Sequence, residues 1–396
     1  MSHSTPTLPK PEYVAGTGFL RMVLLGIGAI AMLISIIAAF FMTGKQVAHS
    51  YLFAYFYFFT IVGGAFFWTV LHHAVDADWS VVVRRQLENI ISSWIVLVIL
   101  FVPLVFLYPY LWKWLLPETL AADPMLQAKQ PYLSWWFAGL RTILIFGLVG
   151  LYAYLLRKHS VDQDKTGHPA YTIKMRYLSI PGIPIIALAI TFAAFDWVMA
   201  MDYHWYSTMF GVCIFAGAVQ QSLGTLIITC FILKQLGYLK EVNSEHFHIM
   251  GKFLLAFTIF WAYVHFSQYM LIWYANIPEE TNWFVKRNEG MWTYLAILLT
   301  AGHFILPFIF LLPQWVKKNP LTLSLIAGWL LCMHAVDHYW LILPNYHKDL
   351  SPNILDFTFF IGIGSLVFSQ IIHSIGSSPT IPVRDPRIFE SLKIKN

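Results

Sequence analysis

The chain reads as an all-α integral membrane protein of ten transmembrane helices, and three observations predict this. Of its 396 residues, 58% are hydrophobic and only 11% charged, a balance that no soluble domain of this size needs. The apolar residues gather into runs of about 20, the length that crosses ~30 Å of hydrocarbon. Ten such runs can be marked, each separated from the next by a more polar stretch.

The first run, 19–42, follows a polar, Pro-containing segment and precedes no small-residue cleavage site, so it is expected to be a retained span. The second, 51–73, ends on "LHHAVDADW", and the third, 90–111, is preceded by Arg84, Arg85 and Glu88 and contains Pro103. The fourth, 136–156, carries Arg141 near its start, and the fifth, 183–201, opens at Pro181 and Pro184 and carries Asp196 near its end. The sixth is 208–233. The seventh, 251–274, contains His265, Gln268 and Tyr269, and the eighth, 291–312, contains His303 and Pro307. The ninth, 321–341, contains "LLCMHAVDHYW" with His334, Asp337 and His338, and the tenth, 355–373, starts at Asp356.

An even number of spans puts both termini on one side. Of the 25 Lys and Arg, 18 fall on that side, 6 fall on the other, and Arg141 lies within a span. The excess of basic residues marks the terminal side as cytoplasmic. The net charge of +5 is therefore a topology signal spread over short loops, and it predicts no nucleic-acid partner.

Cysteine usage excludes several chemistries. Cys213, Cys230 and Cys332 all lie inside spans, with no C-x-x-C-H haem site and no thiolate cluster for iron–sulfur. No glycine-rich phosphate loop precedes a helix, so the chemistry is expected inside the membrane.

Spans two to five and six to nine run in the same order and carry matching landmarks. "LWKWLLPE" (111–118) parallels "IWYANIPE" (272–279), and "AAFDWV" (193–198) parallels "AVDHYW" (335–340). The offsets, 161 and 141 residues, are unequal, which leaves chance as the alternative. The expected organisation is a segment 1–18, a peripheral helix 19–50, a four-helix bundle 51–205, a second, parallel one 206–345, and a last helix with its tail 346–396.

Two polar layers stand out against this apolar background. His334, Asp337 and His338 are spaced i, i+3, i+4 and share one helical face, as do His265, Gln268 and Tyr269. With Arg141, Asp196 and Asp356 they fall at similar depth in the outer half of the bilayer. Each is costly there unless paired, which points to an inward-facing outer layer. The second layer, His72, His73 and Asp76 with Glu88, suits a cytoplasmic proton uptake point. His303 is placed to link the two. The plainer alternative is that an Asp and an Arg neutralise each other and that single histidines are hydrogen-bonded packing residues.

Histidine and carboxylate side chains pass protons in small steps. Quinol oxidation needs a base beside each hydroxyl, a donor for the carbonyl and aromatic walls, all of which the outer layer contains. A haem b clamp on His265, His334 and His338 is a second possibility, although these histidines do not recur as separated pairs along two helices. A transporter would place Gly or Pro breaks at corresponding points of the two halves, and the prolines here do not match in that way.

The strings "SWWFAGLRTILIFGLVGLYAYLLRKHSVDQD" (134–164), "FDWVMAMDYHWYSTMFG" (195–211), "FWAYVHFSQYMLIWYANIPEE" (260–280) and "GMWTYLAILLTAGHFILPF" (290–308) resemble those of a known family. It is the smaller quinone-type membrane subunit, ActF, of bacterial alternative complex III, which is similar to NrfD-type polysulfide reductase membrane subunits. The resemblance runs over essentially the whole chain. It implies a quinol:cytochrome c oxidoreductase complex, or one coupled directly to a terminal oxidase, with a sister membrane subunit, ActC, a periplasmic iron–sulfur subunit and haem c subunits. It also implies that this chain carries no haem or cluster and meets menaquinone or ubiquinone. Since two related membrane subunits share one electron exit, the sister is expected to hold the principal quinol site. This chain then serves as a proton-conducting or a structural partner with a vestigial or secondary quinone pocket.

Overall fold

Inside a bilayer each backbone N–H and C=O must find a partner within the protein, and a helix supplies one within its own segment. The computed structural model describes residues 8–394, and no strand occurs among them. The start of the 1–18 segment and the last two residues of the tail lie outside the described residues. Among the described residues ten helices are long and apolar enough to cross a membrane. They are α1 (Thr17–Ala39), α2 (Gly44–Ala74), α3 (Val81–Phe106), α4 (Trp135–Thr166), α5 (Ala170–Asp202), α6 (Met209–Gln235), α7 (Ser244–Ala275), α8 (Trp292–Leu311), α9 (Pro320–Asn345) and α10 (Ile354–Gly376).

Helices α2–α5 close one four-helix bundle and α6–α9 a second, parallel one, and α1 packs on α10, which packs in turn on α2. The two bundles meet along α2 and α6, the two most buried spans. Lipid does not drive helices together as water does, so such a seam depends on close packing and interhelical hydrogen bonds. Gly64 of α2 provides the close approach, since a methyl group there would collide with the backbone carbonyl of Ala218 on α6. Trp68 Nε1 donates to the Val219 carbonyl at 3.0 Å and Thr60 Oγ1 to Gln221 Oε1 at 2.8 Å across the same seam.

The structure departs from the expected boundaries most around residues 157–182. Hydropathy marks only the lipid-crossing part of a helix, whereas α4 continues to Thr166 and α5 begins at Ala170. Pro181 and Pro184 consequently lie inside α5 rather than at its start. Each removes one backbone donor, a loss that helices in a membrane bundle tolerate. Similarly, α3 starts at Val81, so Arg84, Arg85 and Glu88 belong to its first turns.

Two spans widen into π-helix, at Ala194–Val198 in α5 and at Leu299–Ile305 in α8. A π turn shifts the phase of the side chains and frees a backbone carbonyl, and such turns gather at functional sites. Here they carry Asp196 and His303, and Trp112 Nε1 donates to the carbonyl of Trp197 at 3.1 Å.

Candidate functional site

The structure divides the predicted outer layer into three separate places. In the second bundle α6, α7, α8 and α9 each contribute near their midpoints. Gln220 Nε2 donates to Thr258 Oγ1 at 2.7 Å, and that hydroxyl donates onward to the Leu254 carbonyl at 2.7 Å. The amide is thereby oriented with its oxygen toward His303 and His334, whose Nε2 atoms both lie 3.1 Å from Gln220 Oε1. Trp261 Nε1 donates to Asp337 Oδ2 at 3.2 Å, and its ring stacks on that of His303 at 3.8 Å and lies 4.3 Å from that of His265. His303 thus belongs to this cluster and does not link two layers. His338 turns to α2, with its Nε2 3.3 Å from Thr60 Oγ1 and its Nδ1 bonded to the His334 carbonyl at 2.8 Å.

In the first bundle Arg141 and Asp196 form a bidentate ion pair, with Nε to Oδ2 at 2.7 Å and Nη2 to Oδ1 at 2.9 Å. Such paired, charge-assisted bonds are strong and directional. Tyr132 donates to Asp196 Oδ1 at 3.0 Å, and its ring lies 3.9 Å from the guanidinium. Burial raises the Tyr132 phenol, so it remains a donor. Asp196 also lines a groove of about 1530 Å³ between α3, α4 and α5. Trp94, Phe101, Phe146 and Trp197 form its aromatic wall, and Arg157 and Lys158 stand at the far end. The expectation of one inward-facing outer layer is therefore corrected: Asp337 and His265 belong to one bundle, Asp196 and Arg141 to the other. Equal depth in sequence does not bring side chains together when they belong to different bundles.

Asp356 lies elsewhere again, at the first turn of α10. It accepts from Ser50 Oγ at 2.5 Å, from Tyr339 OH at 3.1 Å and from its own cap residue's backbone N–H at 2.8 Å, which makes it a satisfied helix cap. Gln268 Oε1 accepts from Ser207 Oγ at 3.4 Å. Tyr269 is exposed and meets Phe284 edge-on.

On the terminal side the Asp76 carboxylate does not hydrogen-bond to the ring of His72 or His73. Asp76 has positive φ, 55°, and pairs with Arg176 and with Arg387 Nη1, the latter at 2.6 Å. Arg387 also binds Asp385 at 2.9 Å, Asp385 binds Arg84 at 2.8 Å, and Arg84 and Arg85 both bind Glu88, at 3.3 and 3.1 Å. Arg85 pairs with Asp164 as well. Four arginines face four carboxylates, and the network ties the tail to α2, α3, α4 and α5. His72 and His73 are buried beside it, with no protein partner for either ring.

Sequence reasoning missed Gln220, Trp261, Tyr132, Asp385 and Arg387. The pair Gln220–Gln221 inside an apolar span was a usable signal, because amides in hydrocarbon need partners. The tail residues gave none. Among known proteins, no family model and no curated protein matches the chain. The functional reading rests on the chain's own residues and geometry.

Proposed function

We propose that this chain is an integral membrane subunit of a respiratory quinol:cytochrome c oxidoreductase of the alternative complex III type, and that it takes a quinone into the groove of its first bundle. The carrying observation is that groove, with aromatic walls and the Arg141–Asp196 pair at one end. A quinone is a flat ring with two polar ends and a long apolar tail, so it fits a site with a lipid-side opening, ring-stacking walls and few polar groups. Asp196 lines the groove, and its Oδ2 carries one protein hydrogen bond and keeps a lone pair for a quinol hydroxyl, while Arg141 and Tyr132 hold the carboxylate in place from behind.

Oxidation of a quinol to the quinone releases two protons and two electrons. In this reading Asp196 receives protons on the side opposite the termini, and the electrons leave through the iron–sulfur and haem c groups of partner subunits. The sister membrane subunit holds the principal quinol site, and this chain provides a secondary one together with a proton path. A terminal oxidase coupled to the complex would take the electrons. The chain itself has neither a C-x-x-C-H haem-attachment motif nor a thiolate cluster in its sequence. The charge bias of the loops orients both termini to the cytoplasm of a bacterial inner membrane.

Purification from the native membrane tests this. Recovery with c-type haem absorbance, bound menaquinone or ubiquinone and quinol:cytochrome c activity supports the proposal, and Asp196→Asn is then expected to lower quinone occupancy. Isolation of the chain alone, with solute uptake in vesicles, would replace it with the transporter reading.

A further inference from the structure

The cluster in the second bundle holds three buried atoms with no protein hydrogen-bond partner, namely His303 Nδ1, His334 Nδ1 and Asp337 Oδ1. His303 and His334 are fully buried and Asp337 is 3% exposed. An unsatisfied polar atom in hydrocarbon costs several kcal/mol, and an uncompensated carboxylate costs more. Three such atoms on two adjacent helices call for a shared partner.

We infer that His303, His334 and Asp337 form a binding site for one divalent first-row transition-metal cation, with zinc(II) as the probe. The donor set is two imidazoles and one carboxylate, which suits zinc, iron(II) or copper and discriminates against calcium and magnesium. One ligand atom from each of the three residues lies within 4.8 Å of the others. Tetrahedral zinc with bonds of about 2.0–2.2 Å holds its ligands about 3.3–3.5 Å apart, so the side chains need close by no more than about 1.5 Å.

The hydrogen bonds around the triad are those a metal site requires. Thr258 has its only proton committed to the Leu254 carbonyl, so it accepts from Gln220 Nε2 and leaves the amide oxygen for the two rings. Both rings therefore carry hydrogen on Nε2 and, when neutral, a lone pair on Nδ1. A ligating histidine nearly always gives its other N–H to a carbonyl or carboxylate, which fixes tautomer and ring orientation. Here one carbonyl does this for both rings, and Trp261 Nε1 holds the second oxygen of the carboxylate. The π turn of α8 brings His303 into the triad. The inference is independent of the quinone groove, which lies in the other bundle.

The test is metal binding by the detergent-solubilised full chain, or by the complex that contains it. After chelation and reloading with zinc(II), wild-type protein is expected to retain about one zinc per chain on gel filtration. Cobalt(II) in its place should give visible absorption of a low-coordinate nitrogen and oxygen site. Asp337→Asn and His334→Ala should lower affinity about 100-fold or more. Gln220→Leu, which leaves all three ligands present, should lower it about 10- to 100-fold through lost orientation. His265→Ala, outside the triad, should keep about one equivalent. Zinc retained no better by wild type than by His334→Ala, or binding that all variants keep, would overturn the site and point to a hydrogen-bonded triad or to adventitious metal. The wild-type stoichiometry and cobalt spectrum decide the matter even if a variant fails to fold.

Discussion

At the residue scale, exposure decides what each charge is worth. Arg141 and Asp196 are buried, so Arg141→Ala strands a carboxylate and is expected to cost about 3–5 kcal/mol, read as a large loss of thermal stability in detergent. Asp196→Asn removes the charge but keeps the shape, and it should cost less. On the terminal side Asp385 has no side-chain exposure, while Asp76 has 43%. Asp385→Ala should therefore destabilise by a similar 3–5 kcal/mol, whereas Asp76→Asn should cost about 1 kcal/mol or less. If the two effects came out equal, the network would not be ordered as described. Burial alone would raise the Asp385 carboxyl, but Arg84 and Arg387 outweigh it and hold it well below the usual carboxylate range. A carboxyl depressed in the fold takes up its proton first in the unfolded chain. Its stabilisation is complete above about pH 4 and is lost as pH falls further toward the folded value. Stability of the wild type should decline on acidification below about pH 4, with a shallower slope in Asp385→Asn.

At the element scale, the seam between α2 and α6 is the sensitive contact. Gly64→Ala drives a methyl group into the Ala218 carbonyl, and overpacking of this kind costs about 1–3 kcal/mol. Gly26→Ala meets nothing within 4 Å and should be neutral or slightly stabilising, so thermal melts of the two variants form an internal control. The spans were legible in the sequence to within their lipid-crossing parts, because each run's own composition determines whether it can enter hydrocarbon. Their polar extensions were not. α4 and α5 continue as helix beyond the apolar runs, where the residues resemble an ordinary loop. The π turns were hidden as well: no proline or glycine marks Ala194–Val198, and Gly302 within Leu299–Ile305 and Pro307 just after it are equally compatible with a regular membrane helix.

At the scale of the whole molecule, ten spans and a basic terminal side make a topology prediction. A reporter inserted at Gly167, between α4 and α5, should behave as cytoplasmic. Reporters in 112–134 or 276–289 should behave as periplasmic. The reverse pattern would invert the molecule and move Asp196 to the other face of the membrane. The amino-acid sequence by itself determined the number of spans, their order, the parallel relation of the two bundles and the sharing of one face by His334, Asp337 and His338. These follow from run length and from the 3.6-residue period, which are local properties. Which polar groups meet was decided only by tertiary structure. His303 joined His334 and Asp337 through Gln220, Asp196 paired with Arg141 in the other bundle, and Asp76 turned from His72 to Arg387. The reason is that lipid presses equally on every face of a helix. Rotation and depth are set by packing, by π turns and by hydrogen bonds to neighbours far away in the chain.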